Sequence, residues 1–196
     1  MRILGACKVS KEGVIVNNES KTELLASSDD WKKELYSSLK IDYPKFHKMD
    51  ALAKMAFLSF QYLEQVIETD RFQDDEIAML FANTYSSYDT DQKYLESYTV
   101  KGSPSPSLFV YTLPNILTGE LSIFKKWYGE NIFFIHENFD PEFFIDQINF
   151  YLSKGAKACL CGWVDAANEN EECLLFMVDN TTGEITKDEL LNYYKQ

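Results

Sequence analysis

The sequence predicts a single α/β domain over residues 1–196, and three observations support this prediction. Apolar runs of strand length alternate along the chain with segments of helical periodicity. The length suits one domain. The composition, with 45% hydrophobic and 15% aromatic residues, is that of a globular protein. We expect a mixed, mostly parallel sheet with helices on its faces.

The first half of the chain contains a predicted hairpin, a helix and a buried strand. Residues 2–10 and 13–16 form the hairpin. Residues 17–48 are polar and irregular, apart from a short amphipathic segment at 31–39. Asp50 is the expected N-cap of the clearest helix. Its predicted apolar face consists of Leu52, Ala56, Phe60, Leu63 and Ile67. The strand at 77–81 is followed by a loop at 83–87, and α/β sheets usually carry their sites at that end of a strand.

The second half contains two helices and three strands. Gly and Pro make 102–106 a rigid connection, and Pro114 and Asn115 begin a helix. The apolar stripe of that helix is Leu117, Leu121, Phe124 and Tyr128. The run 132–135 does not alternate, which predicts a strand buried on both faces. Asp140 caps the next helix and Gly155 ends it. Strands follow at 158–164 and 173–178, on either side of an acidic loop, and Thr186 with Glu189 forms a capping box for a last helix.

The charge of the chain argues against several classes of partner. The formal net charge is −12, with 19 basic and 31 acidic residues, so neither nucleic acid nor an anionic membrane surface is expected to bind. The N-terminus lacks the pattern of a signal peptide, and no apolar run approaches the length of a membrane span. We expect a cytoplasmic protein.

The cysteines and histidines do not form a metal-ligand pattern. The chain has two histidines and no Cys-x-x-Cys pair. Three of the four cysteines lie in apolar, strand-like runs, so we interpret them as small core residues. No metal and no cofactor is predicted.

The spacing of small and polar residues between 104 and 165 resembles a known family. A Ser-Pro-x-x-Phe run at 105–109 precedes Asn115, Gly119 follows four residues later, and Gly129 follows after ten more. This spacing resembles the N-terminal half of a β-ketoacyl-acyl-carrier-protein synthase, which has a thiolase-like fold. The matching scaffold residues are Pro106, Phe109, Asn115, Gly119, Gly129, Gly155 and Gly162. The resemblance implies close packing against the sheet at Gly119 and a turn into the central strand at Gly129.

The resemblance also implies where the nucleophilic cysteine of the family should lie. Counting nine residues from Gly129 gives Asn138, and a shift of one residue gives Glu137. Neither side chain can replace a thiolate as the nucleophile. His136 precedes them, but it does not match either catalytic histidine of the family, since both belong to the C-terminal half. We therefore expect a ketosynthase half-fold that lacks the catalytic residues of the family.

These observations lead to three hypotheses about function. The first is a non-catalytic subunit, like a chain length factor, that pairs with an active ketosynthase in fatty acid, polyene or polyketide synthesis. It implies a homodimer, or a heterodimer with a full-length ketosynthase, and allows an acyl carrier protein as a further partner. The second is a weak enzyme acting on thioesters through His136, Glu137 or Asn138. The third is a module that binds an acyl group or a small ligand at the loop 84–87.

Two other patterns have simpler explanations. Residues 178–189 partly match a calcium-binding loop, but Val178 occupies the first ligand position, so a strand–turn–helix is expected. The acidic loop between 165 and 172 contains Asn168, Glu169, Glu171 and Glu172. We interpret it as a solvated loop rather than a cation site.

Overall fold

One seven-stranded mixed sheet organises the protein. The computed structural model describes residues 1–23, 30–167 and 171–196. The strands are β1 (Arg2–Ser10), β2 (Gly13–Val16), β3 (Glu19–Glu23), β4 (Ile77–Asn83), β5 (Asn131–Ile135), β6 (Ala158–Asp165) and β7 (Glu172–Asp179). Their order is β3-β2-β1-β7-β6-β4-β5. The pairs β4–β5 and β4–β6 are parallel, whereas the other four pairs are antiparallel.

Helices lie on both faces of this sheet. They are α1 (Trp31–Ser38), α2 (Ala51–Leu63), α3 (Tyr88–Thr99), α4 (Pro106–Val110), α5 (Ile116–Lys125), α6 (Pro141–Ser153) and α7 (Lys187–Tyr194), with a 3-10 helix at Pro44–Lys48. Residues of α1, α2, α5 and the 3-10 helix share one apolar core with the sheet. Residues of α6 and α7 share a second core on the opposite face.

The central strands are apolar because both of their faces are covered. Along β6, Leu160 and Val164 belong to the α2 side, whereas Cys161 and Trp163 belong to the α6 side. This alternation follows from the two-residue period of a strand. The strands β4, β6 and β7 are therefore buried over nearly their whole length.

The predicted α/β class is confirmed, but the sheet is not mostly parallel. Two of its six strand pairs are parallel. Three of the other pairs join consecutive strands, such as β2 and β3 at the turn of Asn17 and Asn18, where φ is positive at both residues. The fourth, β1–β7, pairs strands from the two ends of the described chain. The strand β3 and the helix α3 were not predicted, because both are polar and lack a clean apolar period.

Three predicted apolar patterns need correction. The run 132–135 lies in β5, which is an edge strand, and Ile135 is 55% exposed. Gly129 therefore leads into an edge strand and not a central one. The helix α2 is buried on nearly all sides and ends at Leu63, before Ile67. Tyr128 lies beyond α5 and is 72% exposed, so it does not extend the stripe of that helix.

The predicted helix caps at Asp50, Asp140 and Thr186 are confirmed. Their side-chain oxygens accept hydrogen bonds from backbone N–H groups in the first turns of α2, α6 and α7, respectively. Gly155 follows α6 with a φ of 114°, a conformation that favours glycine. The capped ends fix where each helix meets the sheet.

The segment after β7 is a strand–turn–helix, as predicted. The carboxylate of Asp179 is almost fully buried and lies 2.6 Å from the guanidinium of Arg71. It also accepts hydrogen bonds from the backbone N–H and the hydroxyl of Thr181. Burial raises the pKa of Asp179, but the bonds from Thr181 and Arg71 outweigh it and hold the pKa below its usual value. These contacts of Asp179 stabilise the turn between β7 and α7.

A buried carboxylate joins the 3-10 helix to α5. Glu120 is 5% exposed. Its Oε1 accepts a hydrogen bond of 2.8 Å from the hydroxyl of Tyr111, and its Oε2 lies 2.7 Å from Nζ of Lys45. Burial and the neighbouring Glu120 carboxylate both raise the pKa of Tyr111.

Candidate functional site

The carboxyl ends of β4, β5 and β6 meet at one edge of the sheet. Asn83 pairs with Ile135, and Ala82 pairs with Trp163, so these strands end at the same level. The loops 84–87 and 136–140 therefore lie side by side. In α/β sheets this edge is the usual place for a site.

The structure brings His136, Glu137 and Asn138 together in the loop between β5 and α6. The backbone N–H of His136 donates to the oxygen of Asn83 at 2.9 Å, which extends the β4–β5 ladder by one residue. Its Nδ1 lies 3.1 Å from the carbonyl oxygen of Asn138, and its ring lies 4.8 Å from that of Phe143. The side chains of Glu137 and Asn138 are exposed to solvent. The loop thus has a fixed path and presents no shielded reactive group.

The N-terminus of α6 has no free donor for a reaction intermediate. Pro141 has no N–H, and the N–H groups of Glu142 and Phe143 donate to Oδ1 of Asp140 at 2.9 and 3.3 Å. The N–H of Phe144 donates to the backbone oxygen of Asp140 at 3.2 Å. The positive end of the helix dipole is therefore already neutralised by the cap. An oxyanion would have to displace that carboxylate.

The four cysteines lie away from this loop, in β1, β6 and β7, and all are free and buried. Burial raises the pKa of Cys159 and of Cys173 to about 12. It also raises the pKa values of Cys7 and Cys161. A buried thiol with a raised pKa is a poor nucleophile. The prediction that the cysteines are core residues is confirmed.

The loop 84–87 is closed by its own hydrogen bonds. The side chain of Asn83 donates to the oxygen of Ser86 at 2.9 Å and accepts from the N–H of Ser86 at 2.8 Å. Ser86 has a φ of 54°, and the hydroxyl of Ser87 donates to the oxygen of Thr112 at 2.6 Å. The cavity beside Ser86 and Ser87 has a volume of about 10 Å³, which is room for about one water molecule. An acyl chain does not fit there.

The scaffold glycines differ in what they contribute. A β carbon at Gly129 would lie 2.2 Å from the oxygen of Ile77, and one at Gly162 would lie 2.5 Å from the ring of Phe81. At Gly119 no atom lies within 4 Å of such a carbon, so the expected close packing at this residue is wrong. The contact between α5 and β5 comes instead from Thr118, whose hydroxyl donates to Oδ1 of Asn131 at 3.0 Å.

The other scaffold residues of the motif lie at helix starts or on the surface. Pro106 is in the first turn of α4, and Ser105 caps that helix. Asn115 is the N-cap residue of α5 but makes no side-chain cap bond. Phe109 is 59% exposed, so the motif places an aromatic ring in solvent and not in the core.

Exposed apolar side chains occur in α5, in the segment after it and at the end of the edge strand β5. Ile123, Tyr128 and Ile135 are 62%, 72% and 55% exposed. They adjoin β5, whose outer backbone groups have no partner strand among the described residues. A shallow groove of about 550 Å³ lies between the end of α5 and the start of β5, with Trp127 and Gly129 in its wall. A second exposed set lies on and around α3 and α4, namely Tyr85, Tyr88, Leu95, Tyr98, Val100, Phe109, Val110 and Leu113.

The acidic loop is only partly described. Asn168 and Glu169 lie outside the described residues. Glu171 forms an ion pair with Lys32, and Glu172 accepts a hydrogen bond of 2.7 Å from the hydroxyl of Tyr194. Within the described ranges, no group of three or more His, Cys, Asp or Glu side chains could hold a metal ion. No described helix is long and apolar enough to cross a membrane.

Solved structures with the same fold are ketosynthases and chain length factors. One is the ketosynthase ApeO in complex with its chain length factor ApeC from Xenorhabdus doucetiae, with a TM-score of 0.63, 12% identity and 93% of this chain covered. The ishigamide ketosynthase/chain length factor has a TM-score of 0.63, 14% identity and 91% coverage. A type II PKS acyl-carrier protein in complex with its ketosynthase, AntDE:AntF, has a TM-score of 0.61, 13% identity and 91% coverage.

These comparisons establish the fold and show how much of each solved chain this protein covers. The chain spans 79% of the matched chain in the first structure and 62% in the other two. No family model and no curated protein matches the sequence. The predicted α/β fold, shared with these ketosynthase and chain length factor structures, is confirmed.

Proposed function

We propose that this chain is a non-catalytic subunit, like a chain length factor, that pairs with an active ketosynthase in fatty acid, polyene or polyketide synthesis. The similar structures are complexes of a ketosynthase with a chain length factor or an acyl-carrier protein. We further propose a cytoplasmic location.

The loop between β5 and α6 supports this proposal most directly, because it lacks the nucleophile of a ketosynthase. The resemblance places the nucleophile at Asn138 or Glu137, and both residues have exposed side chains that lack a thiol. The adjacent helix end is capped by Asp140. A cysteine nucleophile needs a stabilised thiolate, and this loop offers neither the thiol nor free donors.

The open edge at β5 supports the proposal of a partner. Unpaired strand backbone can pair with a strand of another chain. Ile123 and Tyr128 line a groove at the start of β5, and Ile135 is exposed at the end of that strand. Exposed apolar side chains beside an open strand favour an interaction site. The same edge could join two copies of this chain or this chain and a full-length ketosynthase. We favour the ketosynthase, because a dimer of this chain alone would have two loops without a nucleophile.

An acyl carrier protein would then dock on the assembled complex. This chain has a net charge of −12, and carrier proteins of the family are acidic, so the two would repel each other. The docking surface is therefore assigned to the ketosynthase subunit.

Co-expression with full-length ketosynthases of the same organism tests the proposal. A ketosynthase should co-purify with the tagged chain, and Ile135→Asp should prevent this by placing a charge in the interface. Val66→Asp is the matched control, because Val66 is also exposed, at 40%, but follows α2 and lies near Gly5 of β1. Recovery of the chain as a monomer, or equal loss with both variants, would contradict the proposed interface.

The enzyme alternative is tested separately with purified protein and acyl thioesters. Hydrolysis or decarboxylation that is lost in His136→Ala would revive it. Absence of turnover with wild-type protein supports the non-catalytic role.

A further inference from the structure

The outer edge of β5 exposes the backbone groups of every second residue. At the start of the strand, the oxygen of Glu130 accepts a hydrogen bond of 2.8 Å from the N–H of Met79 in β4. At its end, the N–H of His136 donates to the oxygen of Asn83, also in β4, at 2.9 Å. Consecutive residues of a strand direct their backbone groups to opposite sides, so the even-numbered residues of this segment face β4.

The odd-numbered residues of β5 therefore carry the unpaired groups. Asn131, Phe133 and Ile135 direct their N–H and C=O groups away from β4, and no further strand lies beyond β5 among the described residues. Their side chains lie on the sheet face that carries α5, because Phe133 packs against the core that α5 shares. Unpaired groups in this pattern form a template for another strand.

The apolar surface on this face of the strand is split between its two ends. The groove at the start of β5 is lined by Asn131, Ile123 and Tyr128, and the last two side chains are largely exposed. Ile135, at the other end of the strand, is also exposed. An antiparallel copy of β5 would place its end beside the start of the first strand, and thus an exposed isoleucine beside an open groove.

One antiparallel register pairs all of these unpaired groups with one another. When Phe133 lies opposite Phe133 of a second copy, Asn131 lies opposite Ile135 at both ends. Each pair then joins two outward-facing residues, which is the condition for a hydrogen-bonded pair in an antiparallel ladder. A shift of the register by two residues in either direction would place Asn131 or Ile135 opposite a residue outside β5.

The polar residues that flank β5 are compatible with this register. Glu130 comes directly before the strand and His136 directly after it, so each of these glutamates lies opposite a histidine of the other copy. Both fall on the face that carries α6, where the ring of His136 lies 4.8 Å from that of Phe143. An imidazole can donate a hydrogen bond to a carboxylate, whereas like charges directly opposite each other would destabilise the ladder.

We propose that two copies of this chain pair through β5 about a two-fold axis at Phe133 when no ketosynthase is bound. Each copy contributes the same strand, groove and isoleucine, so the contact is isologous. This homodimer uses the interface proposed above and rests on that proposal, and it adds that pairing with a second copy and pairing with a ketosynthase exclude each other. Because each copy has a net charge of −12, the two repel, and the homodimer should tighten as the salt concentration rises.

Disulfide cross-linking of the purified full chain tests the register. Asn131→Cys and Ile135→Cys each place a thiol at an exposed position, and the four native thiols are buried. Opposite Cα atoms in a hydrogen-bonded pair lie about 5.5 Å apart, within reach of a disulfide, whereas identical positions 131 would be roughly 13 Å apart along the strand. We expect an equimolar mixture to form a linked dimer on oxidation with copper phenanthroline, and neither variant alone to do so.

Native mass spectrometry of the wild-type chain alone is a second readout that does not depend on the cysteine variants. We expect twice the mass of one chain for wild type and a monomer for Ile135→Asp. Val66→Asp should remain a dimer, because Val66 lies near Gly5 of β1 and away from β5. Circular dichroism establishes that each variant is folded. A monomeric wild type, or cross-links formed equally by the single cysteine variants, would overturn the proposed homodimer.

Addition of a full-length ketosynthase separates this proposal from the proposed function. A ketosynthase that binds the chain should abolish the cross-link in the mixture, because it occupies the same edge of β5. If the cross-link forms and no ketosynthase binds, the homodimer is supported and the proposed partner is wrong. If a ketosynthase binds and the cross-link persists, the two pairings do not exclude each other and that part of the proposal is wrong.

Discussion

Gly129 provides a test of the packing between β4 and the segment that leads into β5. A β carbon at this residue would lie 2.2 Å from the carbonyl oxygen of Ile77 and 3.1 Å from that of Asp75. Both oxygens belong to the backbone, so no side-chain rotation can relieve the contact. The N–H of Tyr128 donates to the oxygen of Asp74 at 2.6 Å, and this bond ties the two segments together next to the glycine. The clash must therefore move the backbone or break the pairing.

We expect Gly129→Ala to lower the free energy of unfolding by about 3 kcal/mol, the upper end of the usual cost of overpacking. In a domain of this size, 1 kcal/mol corresponds to about 2–4 °C, so the melting temperature should fall by roughly 6–12 °C. Urea unfolding followed by circular dichroism measures the change, and an unchanged m-value would show that the unfolding transition is otherwise the same.

Gly119→Ala is the control within the same motif. Gly119 lies inside α5, and no atom lies within 4 Å of an added β carbon. Alanine in a helix is favoured over glycine by about 0.5–1 kcal/mol, so this variant should be slightly more stable than wild type. A Gly129→Ala variant as stable as wild type would contradict the predicted clash with the backbone of Ile77. A marked loss of stability in Gly119→Ala would contradict the open surroundings of Gly119.

Three further predictions concern buried polar groups and thiols. At pH 7, Asp179→Asn should lower the free energy of unfolding by about 1–3 kcal/mol, the range for hydrogen bonds to charged groups. Because folding lowers the pKa of Asp179, its stabilisation is full above the unfolded pKa of about 3.9 and is lost as the pH falls through the lower folded pKa, so wild type and variant should converge in acid. Tyr111→Phe should cost about 1–3 kcal/mol, because it removes the hydroxyl that donates to the buried carboxylate of Glu120. The four native thiols should not react with a thiol reagent at pH 8 in the folded protein, whereas Asn138→Cys should add one thiol that reacts quickly.

Each of these three predictions has its own control or its own contradicting result. Unfolding of Asp179→Asn and wild type is compared by urea titration at several pH values, and a gap that does not change with pH would contradict the assigned role. Tyr98→Phe is the control for Tyr111→Phe, since Tyr98 is 62% exposed and its hydroxyl should matter little. Fast reaction of a native cysteine in the folded protein would contradict the assignment of these residues to the core.

Much of the fold follows from local sequence signals. The N-caps at Asp50, Asp140 and Thr186 are local rules of helix formation, and the structure confirms them. The apolar runs at 158–164 and 173–178 contain few polar residues, and they form the most buried strands of the sheet. Interactions between residues close in sequence determine these elements, so the sequence alone was enough to predict them.

Other features depend on contacts between distant residues. The run 132–135 is as apolar as a central strand, but its place at the edge of the sheet is set by which strand it pairs with. The open surroundings of Gly119 depend on how α5 lies over the sheet. A single sequence does not specify either arrangement.

The counting from Gly129 leads to Asn138 and Glu137, and the structure shows that they follow β5 in an exposed loop with His136. Their correspondence to the nucleophile position of the family stays a prediction. A cleft beside the start of α2 was not predicted, because its lysines and carboxylates come from separate helices and loops and meet only in the folded chain.

Native mass spectrometry of the co-expressed chain and a full-length ketosynthase, after exposure to an acyl thioester, distinguishes a non-catalytic partner from an enzyme. We expect a complex with one copy of each subunit, in which the acyl mass is added to the ketosynthase and not to this chain. An acyl adduct on this chain, or a ketosynthase that never associates with it, would rule out the proposed non-catalytic pairing.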